Sequence, residues 1–282
     1  MKILVATDYS TSSLNALEYA IALAHQIRAN ITLVHVFQVP PPISEVPLLV
    51  VSTDELLTEH KRKLTEILSE RNIHSGIKVE SEVLYGNTVQ EISRYAHEKQ
   101  FDLLVCGIES TGMLEEYFIG STSMGFIRNS KVPVFIIPME ANYKQGPMVF
   151  AYDAQENQTD YPIEFILKLK DRLKSDLHVV TVLKEGTEFP DDEEQQIYSR
   201  LNSYFNNTSY QVHLSYDNDV DARIRKSTVE LKACCLVMIS HKHGLINRIF
   251  NETHTKRIAY RSQVPVLSIP EIEKNKLSVL LS

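Results

Sequence analysis

Apolar and polar positions along the chain alternate between two spacings. Ile3 to Thr7 is a short apolar run, after which Leu14, Leu17, Ile21, Ala24 and Ile27 recur at the spacing of one helix face. The run predicts a buried strand, and Ser10, Thr11 and Ser12 offer N-cap oxygens where the helix begins. Ile31–Phe37 predicts a second strand, and the prolines at 40–42 and 47 then break the chain. A helix marked by Leu57, Leu64, Ile67 and Leu68 follows, then a strand at Val79–Leu84 and a helix marked by Val89, Ile92 and Ala96. Leu103–Cys106, a long loop, a helix near Ser121–Arg128 and a strand at Val132–Ile137 complete the first half. The second half has the same rhythm. Its strands are predicted at Val149–Tyr152, Leu177–Leu183, Tyr210–Ser215, Leu236–Ser240 and Val264–Ile269, and its helices at 161–174, 194–206, 220–231 and 252–261. Strands alternating with helices imply parallel sheets covered on both faces, linked by right-handed crossovers.

The shared rhythm is a repeat. Residues 117–138 align without a gap on residues 249–270 at an offset of 132, with Val132-Pro133-Val134 meeting Val264-Pro265-Val266 and Pro138 meeting Pro270. Upstream, Gly112 meets Gly244 and Val105 meets Val237, while KILVATD at Lys2–Asp8 resembles PMVFAYD at Pro147–Asp153. So long a period indicates a duplicated domain rather than a solenoid. The polar stretch Glu140 to Gly146 reads as the linker, giving domains at 1–140 and 147–272 and a tail at 273–282. Each is predicted to be a doubly wound α/β domain with five parallel strands. The length of 282 residues agrees, at roughly 150 residues per domain.

Composition narrows the class. With 43% hydrophobic and 23% charged residues, the chain reads as a globular protein. No apolar run approaches a membrane span, and the first run meets Asp8 too early for a signal peptide, so no membrane association is expected. Cys106, Cys234 and Cys235 match neither a disulfide framework nor a zinc spacing, which suits a reduced, cytoplasmic setting. The net charge of −7 argues against a nucleic-acid partner. It is unevenly spread: residues 1–140 carry 11 Lys and Arg against 17 Asp and Glu, and the remainder 18 against 19.

In such sheets ligands sit at the carboxyl ends of the strands, where strand order reverses. That rule selects Asp8-Tyr9-Ser10, Val36-Phe37-Gln38, Tyr85-Gly86-Asn87 and the loop Gly107–Gly120. Glycine lets backbone amides approach an anion closely, and Gly120-Ser121 precedes a predicted helix whose amino end would favour a phosphate. Ser121 and Ser123 add hydroxyls. An ordinary turn at Gly112 and an ordinary helix start at Gly120-Ser121 explain the same residues, and Asp8 reads equally as a helix cap. The loop lacks Gly-Lys-Ser/Thr and so is not a P-loop.

VATDYSTSSLNAL after strand one, LVHVF at strand two, YGNTVQEI after strand three, and G107-x2-S110-x9-G120-S121 followed by VPVFIIP together resemble a tandem universal stress protein. The resemblance spans both halves. It implies an adenine nucleotide α-hydrolase-like fold with strand order 3-2-1-4-5, and ATP or another adenine nucleotide, with Mg accompanying it, as cofactor. Carried over by position, it puts Asp8 at the adenosine end, the Val36 main chain on the adenine, and Gly107, Gly120, Ser121 and Ser123 around the phosphates. Ser110 stands where the family pattern has its second glycine, and Gly112 lies two residues on. A side chain at Ser110 bears on triphosphate more than on adenosine binding. In the second half Gly107 becomes Ile239, Ser110 becomes Lys242, Gly120 becomes Glu252 and Ser121 becomes Thr253, so no nucleotide is expected there. The resemblance also implies pairing of the two domains across their fifth strands and association into a homodimer.

The remaining candidates read as structural. His241, His243 and His254, with Lys242, Arg248, Lys256 and Arg257, form a basic loop without a metal-ligand spacing. The cysteines read as small core residues, and Asp191-Asp192-Glu193-Glu194 as a helix amino end. Asn157, Asn206 and Asn251 open glycosylation-like sequons without a secretory context. No residue is placed to act as acid, base or nucleophile, so no catalytic or metal residue is expected. The sequence thus predicts a cytoplasmic stress-response or regulatory protein that binds an adenine nucleotide in its first domain, hydrolyses it slowly at most, and acts on an unidentified protein partner. The alternatives are a nucleotide-free interaction scaffold and, third, an α-hydrolase-like or flavin-type enzyme.

Overall fold

The computed structural model describes residues 1–38, 52–71, 73, 76–108, 110–111, 116–117, 121–154, 162–184, 193–206, 208–240 and 264–271. They fall into two compact units, Met1–Ser110 with Phe118–Ala141, and Thr111–Tyr117 with Asn142–Ser282.

The first unit runs β1 (Lys2–Ala6), α1 (Thr11–Ile27), β2 (Asn30–Phe37), α2 (Thr53–Ser69), β3 (Val79–Tyr85), α3 (Thr88–Glu98) and β4 (Leu103–Ile108). The loop after β4 carries β5 (Ser110–Thr111) and β6 (Glu116–Tyr117), which pair with each other, and α4 (Ser121–Asn129) and β7 (Val134–Pro138) follow. Five strands lie side by side as β3-β2-β1-β4-β7, all parallel. Counted among themselves they stand in the order 3-2-1-4-5. Strands β1, β4 and β7 are almost wholly buried and apolar on both faces, because helices cover both. The edge strand β3 exposes Glu80, where a charge discourages further pairing.

Helix α1 buries a broad apolar face that includes Leu17, Ile21, Leu23 and Ile27. Ser10, one of the three predicted cap residues, is its N-cap and accepts the Ser13 N–H at 3.3 Å. Helix α2 differs. Ser52 and Glu55 close it with a reciprocal capping box, yet Leu64 is the one residue it buries.

The second unit repeats this plan with β8 (Met148–Ala151), α5 (Ile163–Leu173), β9 (Leu177–Leu183), α6 (Glu193–Tyr204), β10 (Gln211–Tyr216), α7 (Val220–Glu230), β11 (Cys235–Ser240) and β12 (Val266–Pro270). Its strands stand in the order β10-β9-β8-β11-β12, again parallel. The duplication extends to register: Leu104 lies opposite Val134, and Leu236, 132 residues on, lies opposite Val266.

Both fifth strands begin two residues later than the apolar pattern predicts. The Pro133 and Pro265 carbonyls still accept the Leu104 and Leu236 N–H groups, so each entry residue is bonded to its neighbour before regular pairing starts. The predicted helix 252–261, the basic loop with His241, His243 and His254, and Asn157 and Asn251 lie outside the described residues. Among the described residues no helix is long and apolar enough to cross a membrane.

Candidate functional site

Strand β1 ends at the point where strand order reverses, and the chain there turns through Thr7, Asp8, Tyr9 and Ser10 into α1. Asp8 is not the helix cap. Its Oδ1 instead accepts the Ser10 N–H at 3.0 Å and the Ser10 hydroxyl at 2.5 Å, so it braces the residue that caps. Burial by itself would raise the Asp8 carboxyl, but hydrogen bonds from the Ser10 hydroxyl, the Ser10 N–H and Ser13 outweigh it and hold the group below the ordinary carboxylate value. Asp8 is therefore an exposed, fixed anion. Ser10 Oγ lies 3.0 Å from Ser12 Oγ, and Thr7 Oγ1 2.9 Å from Ser13 Oγ, which makes the helix amino end rich in hydroxyls.

Val36 lies beside this turn. The Thr7 N–H donates to the Val34 carbonyl at 2.9 Å, after which β1 ends. By the alternation of a parallel ladder, Val36 presents its main-chain groups toward the side that β1 has just vacated.

Between these two places stands a cluster whose histidines and lysine the sequence pattern did not single out. Tyr9 has φ +70°, a left-handed conformation rare for a residue with a side chain. Its hydroxyl is 2.9 Å from His60 Nδ1, its ring lies 4.2 Å from that of His35, and Lys63 Nζ sits 3.8 Å from its ring centre. His35 Nδ1 is 2.8 Å from the Thr7 carbonyl, which can only accept, so this nitrogen carries the proton. Phe37 stacks on His60 at 5.1 Å and meets Tyr85 at 5.6 Å. Burial, with the Glu59 charge, pushes the Tyr9 phenol up to about 12. His35 is held below its ordinary value by burial and by His60 and Lys63, against the opposing pull of the Thr7 carbonyl and Asp8. Helix α2 buries only Leu64 of its own, and this cluster is one of its attachments to the sheet. The available signal was His60 and Lys63 three residues apart on one helix face, with His35 and Phe37 alternating along β2.

The end of β4 completes the crevice. A Cβ on Gly107 would stand 2.2 Å from the Ser12 carbonyl oxygen, so this glycine is required by its contact with the first turn of α1. Ser123 is buried in α4, and its hydroxyl donates to the Gly107 carbonyl at 3.4 Å. Ser121 opens the same helix and is exposed. The contacts run in sequence from Asp8 through Ser10 and Ser12 to Gly107 and Ser123. Ser110 lies in the short strand β5, and Gly112 and Gly120 are outside the described residues. Cys106 is buried, and burial pushes its thiol up to about 12 against a weaker opposing bond with Ser123. Cys234 and Cys235 are likewise buried free thiols.

In the second unit Asp153 stands at the place of Asp8, and Tyr152, 2% exposed, replaces Thr7. Burial pushes the Tyr152 phenol up to about 12, against the charge of Arg200. Lys242, Gly244, Glu252 and Thr253 lie outside the described residues.

The sequence profile of the universal stress protein family matches residues 1–138. The chain is 30% identical over 139 residues to universal stress protein MJ0531 of Methanocaldococcus jannaschii, covering 48% of this chain and 81% of that protein. It is 31% identical over 144 residues to universal stress protein YxiE of Bacillus subtilis, covering 48% of this chain and 97% of that protein. The chain belongs to the universal stress protein family. A universal stress protein of Archaeoglobus fulgidus has a crystal structure that matches 95% of this chain and 98% of its own at a TM-score of 0.73 and 22% identity. That likeness extends the universal stress protein fold to both halves. In this universal stress protein, then, the family profile matches the first half, and the second is tied to it by fold and by the internal repeat.

Proposed function

We propose that the protein is a stress-response regulator whose first unit binds an adenine nucleotide, ATP or another, in the crevice between the ends of β1 and β4. Asp8 meets the ribose end and the Val36 main chain the adenine. Ser121 and the amino end of α4 meet the phosphates, which bring Mg with them. Ser123 and Gly107 serve this site by holding α4 and α1 against β4. The observation that carries the reading is that Asp8, Val36, Gly107 and Ser121 come from four separate segments and converge on one carboxyl edge at the switch point. On this reading the nucleotide is bound as a signal, with slow hydrolysis at most. Nucleotide then acts by shifting the populations of the loop after β4 that a protein partner reads.

Denaturing extraction of the purified protein, followed by calorimetry with ATP, ADP and AMP, tests this. Recovered nucleotide or measurable heat, abolished in Asp8→Ala, is the expected result. No nucleotide and no heat overturns it. One observation favours a second reading, a nucleotide-free interaction scaffold: Gly107 and Ser123 are both accounted for by packing within the unit. On that reading the parent is silent and Ser110→Gly gains affinity.

A further inference from the structure

His178 on β9 and His213 on β10 meet across the edge of the second unit's sheet. His178 is opposite Gln211 and His213 is opposite Val180, so the two imidazoles share one face. His178 Nδ1 is 2.7 Å from His213 Nε2, and the ring centres are 5.0 Å apart with planes 23° from parallel. The centre-to-centre distance is the nitrogen gap plus about one ring radius at each end. The nitrogens therefore face each other along the line joining the rings. One must carry a hydrogen and the other a lone pair.

Proton counting gives this pair a threshold. In the neutral pair one ring donates through its facing nitrogen, and the other keeps its hydrogen on its far nitrogen. The next proton goes to the far nitrogen of the donor ring and leaves the bond intact, now charge-assisted. A further proton has only the facing acceptor nitrogen left. It destroys the bond and sets two cations head-on, where like charges disfavour each other strongly.

The surroundings add to this. Helix α7 packs on β9 and brings Arg223 to act on His213. The Arg223 guanidinium is 3.0 Å from Glu230, whose carboxylate is also 3.9 Å from Lys226. On the same face the strands supply the uncharged Gln211, Ser215, Val180 and Val182. His213 is held below its ordinary value by burial first, then by His178 and Arg223. Among the described residues β10 is bonded to β9 alone, so the pair staples an edge strand.

We propose that the second unit senses acid: the His178–His213 pair holds edge strand β10 on β9 at neutral pH and releases it when the pair takes its last proton. This function is independent of nucleotide in the first unit.

Two measurements on the full chain test it. Ring-nitrogen NMR should show His213 titrating below the ordinary histidine value in the wild type and moving up in His178→Gln. Hydrogen exchange of residues 211–216, corrected for intrinsic rate, should rise steeply as pH falls from 7.5 to 5.0, by up to about tenfold per pH unit once one proton is linked to opening. That rise should disappear in a double variant with His178→Phe and His213→Phe. Should the double variant fail to fold, Arg223→Gln carries the test by moving the His213 midpoint up. A His213 midpoint indifferent to both His178→Gln and Arg223→Gln overturns the proposal. So does an acid-driven rise in exchange that survives in the folded double variant.

Discussion

Replacing Gly107 by alanine adds one methyl group to the tightest backbone contact in the candidate site. That carbon would stand 2.2 Å from the Ser12 carbonyl oxygen, 2.5 Å from its carbon and 2.9 Å from the Ser13 nitrogen. Ordinary non-bonded contacts between carbon atoms lie at about 3.5–4.0 Å, so β4 and the first turn of α1 must separate by roughly an ångström. All three atoms are main chain, and α1 is anchored by Ala16, Leu17, Ala20 and Ile21 in the core, so no side chain can rotate to give room. Overpacking of a well-packed core costs about 1–3 kcal/mol, and a rigid obstacle puts this variant at the upper end, about 3 kcal/mol. Gly125→Ala is the matched control. Its Cβ would meet Val89 Cγ2 at 2.6 Å and Cγ1 at 3.0 Å, methyls of a half-buried side chain rather than main chain. Alanine also gains roughly 1 kcal/mol over glycine inside a helix, so the net change should be within about 1 kcal/mol. Urea unfolding followed by circular dichroism suits a chain without tryptophan, and hydrogen exchange over 11–27 and 103–108 assigns the loss to the first unit. A Gly107→Ala variant within about 1 kcal/mol of wild type, or one less harmed than Gly125→Ala, would refute the packing account of this glycine.

Further outcomes are expected. Tyr9→Phe removes the hydroxyl bonded to His60 and should lower the stability of α2 docking by about 1 kcal/mol, seen as about fivefold faster exchange over 53–69; unchanged exchange would deny the cluster its role. Spectrophotometric titration at the tyrosinate band should leave Tyr9, Tyr143 and Tyr152 protonated until about pH 12, whereas ionisation of all tyrosines in one step near the free value would contradict their burial. His35 is depressed in the folded state, so below the free histidine value the unfolded chain binds more protons. The first unit should then lose stability as pH falls below about 6.5, and His35→Gln should flatten that slope. Cys106, pushed up to about 12 by burial, should resist thiol reagents at pH 8 in the native protein and react on unfolding; prompt native labelling would refute its burial.

Much of this was legible from residue spacing. Leu177–Leu183 ends where its apolar run ends, and the strands either side of the 132-residue offset reproduce each other's register, because side-chain period and burial are local consequences of sequence. That Asp8, Val36 and Gly107 share one edge of the sheet follows from their places at strand ends, since a parallel sheet sends all its carboxyl ends to one edge. Their roles were less legible. Asp8 reads as a cap until Ser10 is seen to take that place and Asp8 to hold Ser10. Gly107 reads as an anion loop until Ser12 is found against it.

The sequence by itself determined two α/β units of one design and the order of the strands that build their sheets. Those follow from periodicity, repetition and the handedness of crossovers, none of which needs distant residues to be placed. Only the tertiary structure decided that Tyr9 and His35 share one cluster with His60 and Lys63 of α2, and that His178 and His213 point their nitrogens at each other. These are contacts between residues 25 or more positions apart. Their geometry rests on the angle at which packed elements meet, and periodicity carries no record of that angle.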